Sequence, residues 1–132
     1  MEVVLDANVL FRMLISQGEI LDIVFNEKLH IFAPLKLKEE FLKHKKEIVS
    51  KSKITLNEFK ILSSLIFKRI NFAPLEKYKN FLIKARKILG SHTKDEDFVA
   101  LCLYKSIKLW TYEDFLFKLG VGISTKQISL KL

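Results

Sequence analysis

The sequence predicts an α/β fold, a three-layer sandwich in which a twisted parallel sheet of four to five strands has helices on both faces. Two observations favour this fold. Strand-like and helical stretches alternate along the whole chain, and the strand-like runs are continuously apolar, as in strands buried on both faces. Because no linker interrupts the alternation, residues 1–132 are expected to form a single domain.

The strand predictions depend on short apolar runs that end at residues which break regular structure. A buried strand opens the chain, and Pro34 and Pro74 each follow a similar run. Because the first position of a helix tolerates proline, both prolines are expected to start helices. The predicted strands cover Glu2–Leu5, Leu29–Ala33, Ile70–Ala73, Ile107–Thr111 and Gly122–Ser124.

The helix predictions depend on apolar residues at three- and four-residue spacing. The polar face of the helix over Leu35–Ser50 is strongly basic, and Thr55 with Glu58 predicts a capping box for the helix that follows. The run Phe98–Leu103 is apolar nearly all round, which predicts a buried helix. Ser91–Lys94 is expected to be a loop. Helices are predicted at Asn8–Ile15, Glu19–Asn26, Leu35–Ser50, Thr55 through Phe67, Leu75–Leu89, Asp95–Ser106 and Asp114–Leu119, with Thr125 capping a terminal turn.

The composition is that of a globular protein, with 49% hydrophobic and 29% charged residues. No apolar run is long enough to span a bilayer, so no membrane partner is expected. The first residues lead straight into a strand without a basic and apolar leader, which favours a cytoplasmic protein. The single cysteine, Cys102, lies in an apolar run and is expected to be a buried hydrophobe.

The chain carries a formal charge of +8, from 23 Lys and Arg residues against 15 Asp and Glu residues. This excess favours a polyanionic partner, with nucleic acid ahead of an anionic membrane surface. The alternative is that the charge only keeps the protein soluble. In so basic a chain, a cluster of acids is less easily explained as ordinary solvent-exposed residues without a function.

Acids fall at the ends of elements that a parallel sheet brings to one edge. Asp6 ends the first strand, and Glu113 and Asp114 follow the strand that ends at Thr111. If those strands are neighbours, their acids lie close together. Helices that feed the strands start near the same edge, and their first turns carry Glu39, Glu40, Asp95 and Asp97.

Clustered carboxylates repel one another unless a cation neutralises them. Oxygen ligands without a cysteine or histidine cluster favour Mg²⁺ or Mn²⁺, and two such ions support phosphodiester hydrolysis. Lysines of the long basic helix, Lys43, Lys45 and Lys46, are expected to bind the backbone of the nucleic acid. The sequence thus predicts a metal-dependent nuclease.

Each acid also has a structural interpretation that the sequence leaves open. Asp6 can cap the helix after it, although Asn8 can do the same. Glu39 and Glu40 can be solvated acids paired with lysines one turn away. The pair Asp95 and Asp97 can be ordinary first-turn acids of a helix, and Glu113 and Asp114 ordinary turn residues.

Four motifs in order, VVLDANVLF, APLKLKEEFLKHKKEI, KDEDFVALCL and KLWTYEDF, make the chain resemble a PIN domain, closest to the small stand-alone prokaryotic kind that includes VapC-type toxins. The resemblance covers nearly the whole chain and implies a PIN-like, Rossmann-related fold. It also implies a ribonuclease that uses Mg²⁺ or Mn²⁺. An antitoxin partner and a homodimer are further expectations of the resemblance.

Carried over by motif, the resemblance implies four catalytic acids, Asp6, Glu40, Asp95 and Glu113. It implies that Asn8 supports the turn after the first strand, that the Thr111 hydroxyl lies beside the metal, and that Asp97 has a supporting place. At the fourth acid the family usually has Asp, so Glu113 and Asp114 both stay open as the metal ligand. Lys94 replaces acids that relatives often carry, which lowers the negative charge beside Asp95.

Two other functions compete with the nuclease. A phospho-accepting receiver domain shares the alternating fold but needs an aspartate after its third strand, where this chain has Pro74. A catalytically weak or silent PIN-like module would act through protein or RNA binding. The unusual fourth acid and Lys94 favour this second alternative.

Overall fold

Five parallel strands form one sheet in the computed structural model, which describes residues 1–132. The strands are β1 (Glu2–Leu5), β2 (His30–Pro34), β3 (Ile70–Ala73), β4 (Lys108–Trp110) and β5 (Gly122–Ile123). Their spatial order is β3-β2-β1-β4-β5, and every pair of neighbours is parallel. This confirms the α/β sandwich and sets the strand number at five.

Nine helices and two 3-10 turns, Lys79–Phe81 and Thr93–Asp95, connect the strands. The helices are α1 (Ala7–Ser16), α2 (Glu19–Val24), α3 (Lys36–Lys51), α4 (Leu56–Lys68), α5 (Leu75–Tyr78), α6 (Leu82–Leu89), α7 (Glu96–Lys105), α8 (Asp114–Lys118) and α9 (Thr125–Lys131). Helix α1 packs with α3 and α4, whereas α7 packs with α5 and α6 and covers β1 and β2.

The helix predicted over Leu75–Leu89 is divided into α5, a 3-10 turn and α6. The division falls at Tyr78, whose backbone leaves helical geometry with φ −121° and ψ 1°. The buried Tyr78 side chain donates its hydroxyl to Asp97 Oδ2 on α7 at 2.7 Å. A tertiary contact therefore competes with the local helical pattern. The expected loop before α7 likewise contains the 3-10 turn Thr93–Asp95.

Both prolines precede their helices instead of occupying the first helical position. Pro34 is the last residue of β2, and Pro74 is the N-cap of α5. The pairing of β2 with β1 ends at Phe32, so a proline at position 34 removes no N–H from that ladder. The pairing with β3 continues past the proline, since Leu35 N donates to Ala73 O at 3.1 Å.

Capping boxes fix two of the helix starts. The capping box of Thr55 and Glu58 is present at α4, as predicted. Ser124, and not Thr125, caps α9, because Gln127 stands three residues after Ser124 and completes a second capping box. The Thr125 hydroxyl instead accepts a hydrogen bond from Trp110 Nε1 at 2.9 Å.

A core of 31 buried apolar residues surrounds the sheet. The middle of α7 is buried on all sides, as predicted, from Phe98 through Cys102. Cys102 is a free thiol, and burial raises its pKa, so it is a packing residue and not a nucleophile. No helix combines the length and the apolar character that crossing a membrane requires.

Arg69 stabilises the junction between α2 and β2. Its guanidinium donates to the backbone carbonyls of Val24, Asn26 and Leu29 at 2.8–3.0 Å. We expect Arg69→Met, which keeps the apolar stem but removes the donors, to lower the free energy of unfolding by about 2 to 3 kcal/mol. Urea denaturation measures the loss. Arg12→Met, at an exposed position, is the control and should change stability by about 0.5 kcal/mol or less.

Candidate active site

The ends of β1 and β4 lie side by side at the carboxyl edge of the sheet. Leu5 pairs with Trp110, and the next backbone contact runs from Asp6 N to Trp110 O at 3.0 Å. This confirms the expectation that the two strands are neighbours. From β1 the chain first winds toward β2 and β3 and later returns to β4 on the other side. Such a switch point opens a crevice outside the strand ends, which is where open α/β sheets bind ligands.

Asp6 is buried at this switch point, with 3% of its surface exposed. One carboxylate oxygen, Oδ1, accepts from Ala7 N at 2.8 Å, so Asp6 does cap α1. The other, Oδ2, accepts from the buried Thr111 hydroxyl at 2.7 Å. Burial raises the pKa of Asp6 to about 6, with Asp95 and Glu113 adding to the rise and the two hydrogen bonds opposing it.

Hydrogen bonds connect Asp6 to the fourth predicted acid. The Thr111 hydroxyl that donates to Asp6 accepts from Glu113 N at 3.1 Å. Glu113 Oε1 accepts from Asn8 Nδ2 at 3.0 Å. Asn8 therefore orients the Glu113 carboxylate, whereas the sequence suggested that it supports the turn after β1. Thr111 and Asn8 together tie the exits of β1 and β4 to one another.

A cleft of about 790 Å³ contains all four acids that the motifs indicate, Asp6, Glu40, Asp95 and Glu113. Glu40 is partly buried, and its pKa is raised by burial and, more weakly, by the charge of Asp95. Burial raises the pKa of Asp95, the charge of Lys94 opposes this rise, and the charge of Glu113 adds to it. Glu39 also lines the cleft, but its side chain is exposed. The partial burial of Glu40 and the influence of Asp95 on its pKa favour Glu40 over Glu39 as the site residue.

The structure leaves several predicted site residues outside the cleft. Asp114 is exposed at the start of α8, and Asp97 accepts from the Tyr78 hydroxyl and lies 3.7 Å from Lys36 Nζ. Of the three predicted RNA-binding lysines, Lys43 lines the cleft but Lys45 and Lys46 do not. The helical period explains why only Lys43 lines the cleft. Lys43 is three residues after Glu40 and lies on the same face of α3, whereas Lys45 and Lys46, five and six residues after it, do not.

The receiver-domain alternative finds no support in the sheet. Strand β3, which would have to carry the phospho-accepting aspartate, is an edge strand and not a central one. It ends at Ala73 and is followed by Pro74, so no carboxylate stands at its exit. Only the exits of β1 and β4 carry acids at the switch point.

One face of α3 supplies residues that the sequence analysis did not place in the site. Glu40 shares the cleft with polar residues at helical spacing before and after it. The His44 ring lies 5.5 Å from the Phe11 ring, and Glu47 pairs with Lys51 at 2.8 Å. Once Glu40 is placed, the period of the helix predicts this face, which comprises Lys36, Glu40, Lys43, His44, Glu47 and Lys51.

The donor atoms suit a hard divalent cation, since the four acids offer only oxygen. Neither Glu40 nor Asp95 has a hydrogen-bond or ion-pair partner, although both are partly buried. As the side chains stand, however, no three His, Cys, Asp or Glu residues are close enough to hold an ion together. The residues therefore fit Mg²⁺ or Mn²⁺ in their chemistry and shared cleft, without a preformed ligand set.

The raised pKa of Asp6 makes stability depend on pH. Between about pH 4 and about pH 6 the folded state keeps a proton on Asp6 that the unfolded state releases. The free energy of unfolding therefore falls as the pH rises through this window, by about 3 kcal/mol for Asp6 alone. In the presence of a chelator, we expect the free energy of unfolding of Asp6→Asn to fall across this pH window by about 3 kcal/mol less than that of the unmodified protein.

Urea denaturation across the same pH window measures this difference. Glu40 and Asp95 also have raised pKa values and add a loss of the same sign in both proteins. The comparison of slopes therefore isolates Asp6. Equal slopes in the two proteins would contradict the buried, proton-retaining carboxylate.

Comparison with known proteins identifies the fold family. The sequence model of the PIN domain matches residues 4–132, which is nearly the whole chain. No curated protein matches the chain. PIN domains are generally nucleases and usually use divalent metal ions. The five-stranded parallel sheet and the length of the match agree, and the chain belongs to the PIN domain family.

Proposed function

We propose that this protein is a metal-dependent endoribonuclease that hydrolyses RNA phosphodiester bonds. The proposal rests on one observation. The buried Asp6, which accepts a hydrogen bond from Thr111, lies in the same cleft at the switch point of the sheet as Glu40, Asp95 and Glu113. The charges of Asp95 and Glu113 raise the pKa of Asp6, and the charge of Glu113 raises the pKa of Asp95. A bound cation compensates such repulsion between carboxylates at neutral pH. Membership of a family of nucleases supports the same reaction class.

Four acids, Asp6, Glu40, Asp95 and Glu113, are the residues that would hold Mg²⁺ or Mn²⁺. When bound, such an ion activates water and stabilises the charge that develops on the phosphate. Thr111 fixes the Asp6 carboxylate through its hydroxyl, and Asn8 orients Glu113. Two of the four carboxylates are thus held by side chains outside the acid set.

Lysines in the cleft favour a polyanionic substrate. Lys36, Lys43, Lys51 and Lys94 line the same cleft as the acids, and the chain as a whole carries a charge of +8. Their ammonium groups attract phosphates at any base sequence, so they position the backbone and do not read bases. Lys45 and Lys46, further around α3, would contact the strand outside the cleft.

The setting of the enzyme is part of the proposal. A toxin of a toxin–antitoxin pair and an RNA-processing nuclease both fit a small basic ribonuclease that acts in the cytoplasm. Exposed apolar side chains on α3 and α4, including Leu42, Ile61 and Leu65, would suit an antitoxin protein or a second copy of the chain. These surfaces support a partner without identifying it.

A silent PIN-like module is the second candidate. The observation in its favour is that no three acids form a ligand set, while Lys36 and Lys94 bring positive charge to the same cleft. Those charges oppose the rise in the pKa values of Glu40 and Asp95 and replace part of the compensation that a cation would give. Such a module would bind RNA or protein without cleaving it.

Cleavage of labelled RNA with Mn²⁺ tests the nuclease. We expect Asp6→Asn to lower the cleavage rate at least about 100-fold, because it removes the central carboxylate of the cleft. RNA binding should persist or strengthen, since a negative charge leaves the cleft. Glu113→Gln should show the same pattern.

Asp114→Asn is the matched control, because Asp114 is the neighbouring acid and lies outside the cleft. It should cleave like the unmodified protein. If Asp114→Asn loses cleavage and Glu113→Gln stays fully active, the fourth catalytic acid is Asp114 and not Glu113. Full activity in Asp6→Asn would overturn the proposed site.

Thermal unfolding with and without Mn²⁺ separates the two candidates. A cation at about 100 times its Kd stabilises the folded state by about 3 kcal/mol, which is a Tm rise on the order of 10 °C. We expect this rise in the unmodified protein and in Asp114→Asn, and its loss in Asp95→Asn. A silent module would show no rise that depends on Asp95.

A further inference from the structure

A second cavity, of about 460 Å³, lies beside edge strand β3 and takes its lining from α3, α4 and β3. Three lysines line it, Lys38 from α3 and Lys60 and Lys68 from α4. Two serines and two phenylalanines complete the lining. None of the residues predicted from the sequence to form the acid site lies here.

The α4 side of this cavity is one helical face. Lys60, Ser63, Ser64, Phe67 and Lys68 follow the spacing i, i+3, i+4, i+7 and i+8, which places all five on the same side of the helix. The Ser63 hydroxyl donates to Lys60 O at 3.2 Å, and Ser64 is exposed. The face thus combines two ammonium groups, two hydroxyls and one aromatic ring.

No acid balances the charge of this cavity. None of its lining residues is Asp or Glu, and none of the three lysines has a carboxylate within 4.0 Å. The acid cleft differs, because its lysines face several carboxylates. Three ammonium groups brought together without a counter-charge repel one another, and a bound anion relieves that repulsion.

Two aromatic rings line the cavity together with the lysines. Lys38 Nζ lies 4.3 Å from the centre of the Phe72 ring, a cation–π contact that holds the ammonium in place. The Phe67 ring meets the Phe72 ring edge to face at 5.9 Å. Basic groups interleaved with aromatic rings are typical of surfaces that bind single-stranded nucleic acid.

The first turn of α3 separates the two cavities. Lys36 lines the acid cleft and Lys38 lines the second cavity, only two residues further along the helix. Phe72 lies near the end of β3, and Asp6 follows the end of β1 in the same parallel sheet. The second cavity therefore extends along edge strand β3, from Lys68 just before the strand to Phe72 near its carboxyl end, and Lys38 brings it to the first turn of α3 beside the acid cleft.

We propose that the cavity formed by Lys38, Lys60 and Lys68 is a backbone-binding subsite for single-stranded nucleic acid, which holds the substrate strand to one side of the acid cleft. This rests on the proposed function, since the strand in question is the RNA to be cleaved. The lysines bind phosphates, and the Phe67 and Phe72 edges contact bases or sugars. The subsite adds affinity without base specificity.

Fluorescence anisotropy with a labelled RNA of about 12 nucleotides tests the subsite. The binding is measured in chelator with every variant carrying Asp6→Asn, so that cleavage plays no part. Removing Lys60 and Lys68 together, as K60Q/K68Q, should weaken binding roughly tenfold at about 0.1 M salt. The slope of log affinity against log salt should fall by about 1.4, since each phosphate contact contributes about 0.7 on a single strand.

The matched control removes the same charge outside both cavities. Lys28 and Lys118 are exposed and line neither the acid cleft nor the second cavity, so K28Q/K118Q changes the net charge alone. It should change affinity less than twofold. An equal loss in the two double variants, or none in either, would overturn the subsite, and thermal unfolding verifies that both are folded.

A poly-glutamate peptide distinguishes nucleic acid from an acidic protein partner. If K60Q/K68Q weakens peptide binding as much as RNA binding, the cavity belongs to an acidic partner and the proposal fails. Cleavage by the protein with Asp6 intact is scored separately. If the protein does not cleave RNA but K60Q/K68Q lowers the salt slope of binding, the nuclease is rejected and the subsite is kept. If the protein cleaves RNA but K60Q/K68Q leaves the salt slope unchanged, the subsite is rejected and the nuclease is kept.

Discussion

The hydrogen bond from Thr111 to Asp6 is the contact on which the arrangement of the site depends. It joins the first residue beyond β1 to the first residue beyond β4, and both side chains are buried. A carboxylate in such surroundings favours its protonated form, and neighbouring acids strengthen that preference. The fold thus keeps one acid in an unfavourable charged state at neutral pH, which a divalent cation is suited to offset.

Lys36 has a comparable structural role on the α3 side of the cleft. Its ammonium group donates to Lys94 O at 3.2 Å and lies 3.7 Å from Asp97 Oδ1. It therefore fastens the first turn of α3 to the short turn that carries Asp95. Since Glu40 lies one helical turn beyond Lys36, this tether sets how closely Glu40 and Asp95 approach. One lysine thus both positions two acids and lowers their repulsion.

Sequence patterns predicted the sheet and the convergence of the acids, because both follow from rules of the backbone. Apolar runs fix the parallel strands, and the exits of neighbouring parallel strands meet at one edge. The partners of individual side chains were not predictable in this way. Asn8 binds Glu113, 105 residues away, and Tyr78 interrupts its own helix to reach Asp97. Such pairings depend on distances between elements, which local periodicity does not contain.

The strand order also determines when the acid cleft can form as the chain is synthesised. A ribosome releases the chain from its N-terminus, so Asp6, Glu40 and Asp95 emerge before Thr111 and Glu113. Until β4 arrives, β1 is an edge strand on the side that β4 later covers. Asp6 then lacks its Thr111 donor, and the crevice between β1 and β4 does not exist. Completion of the cleft is consequently a late folding event, and an unfinished chain has no assembled acid cleft.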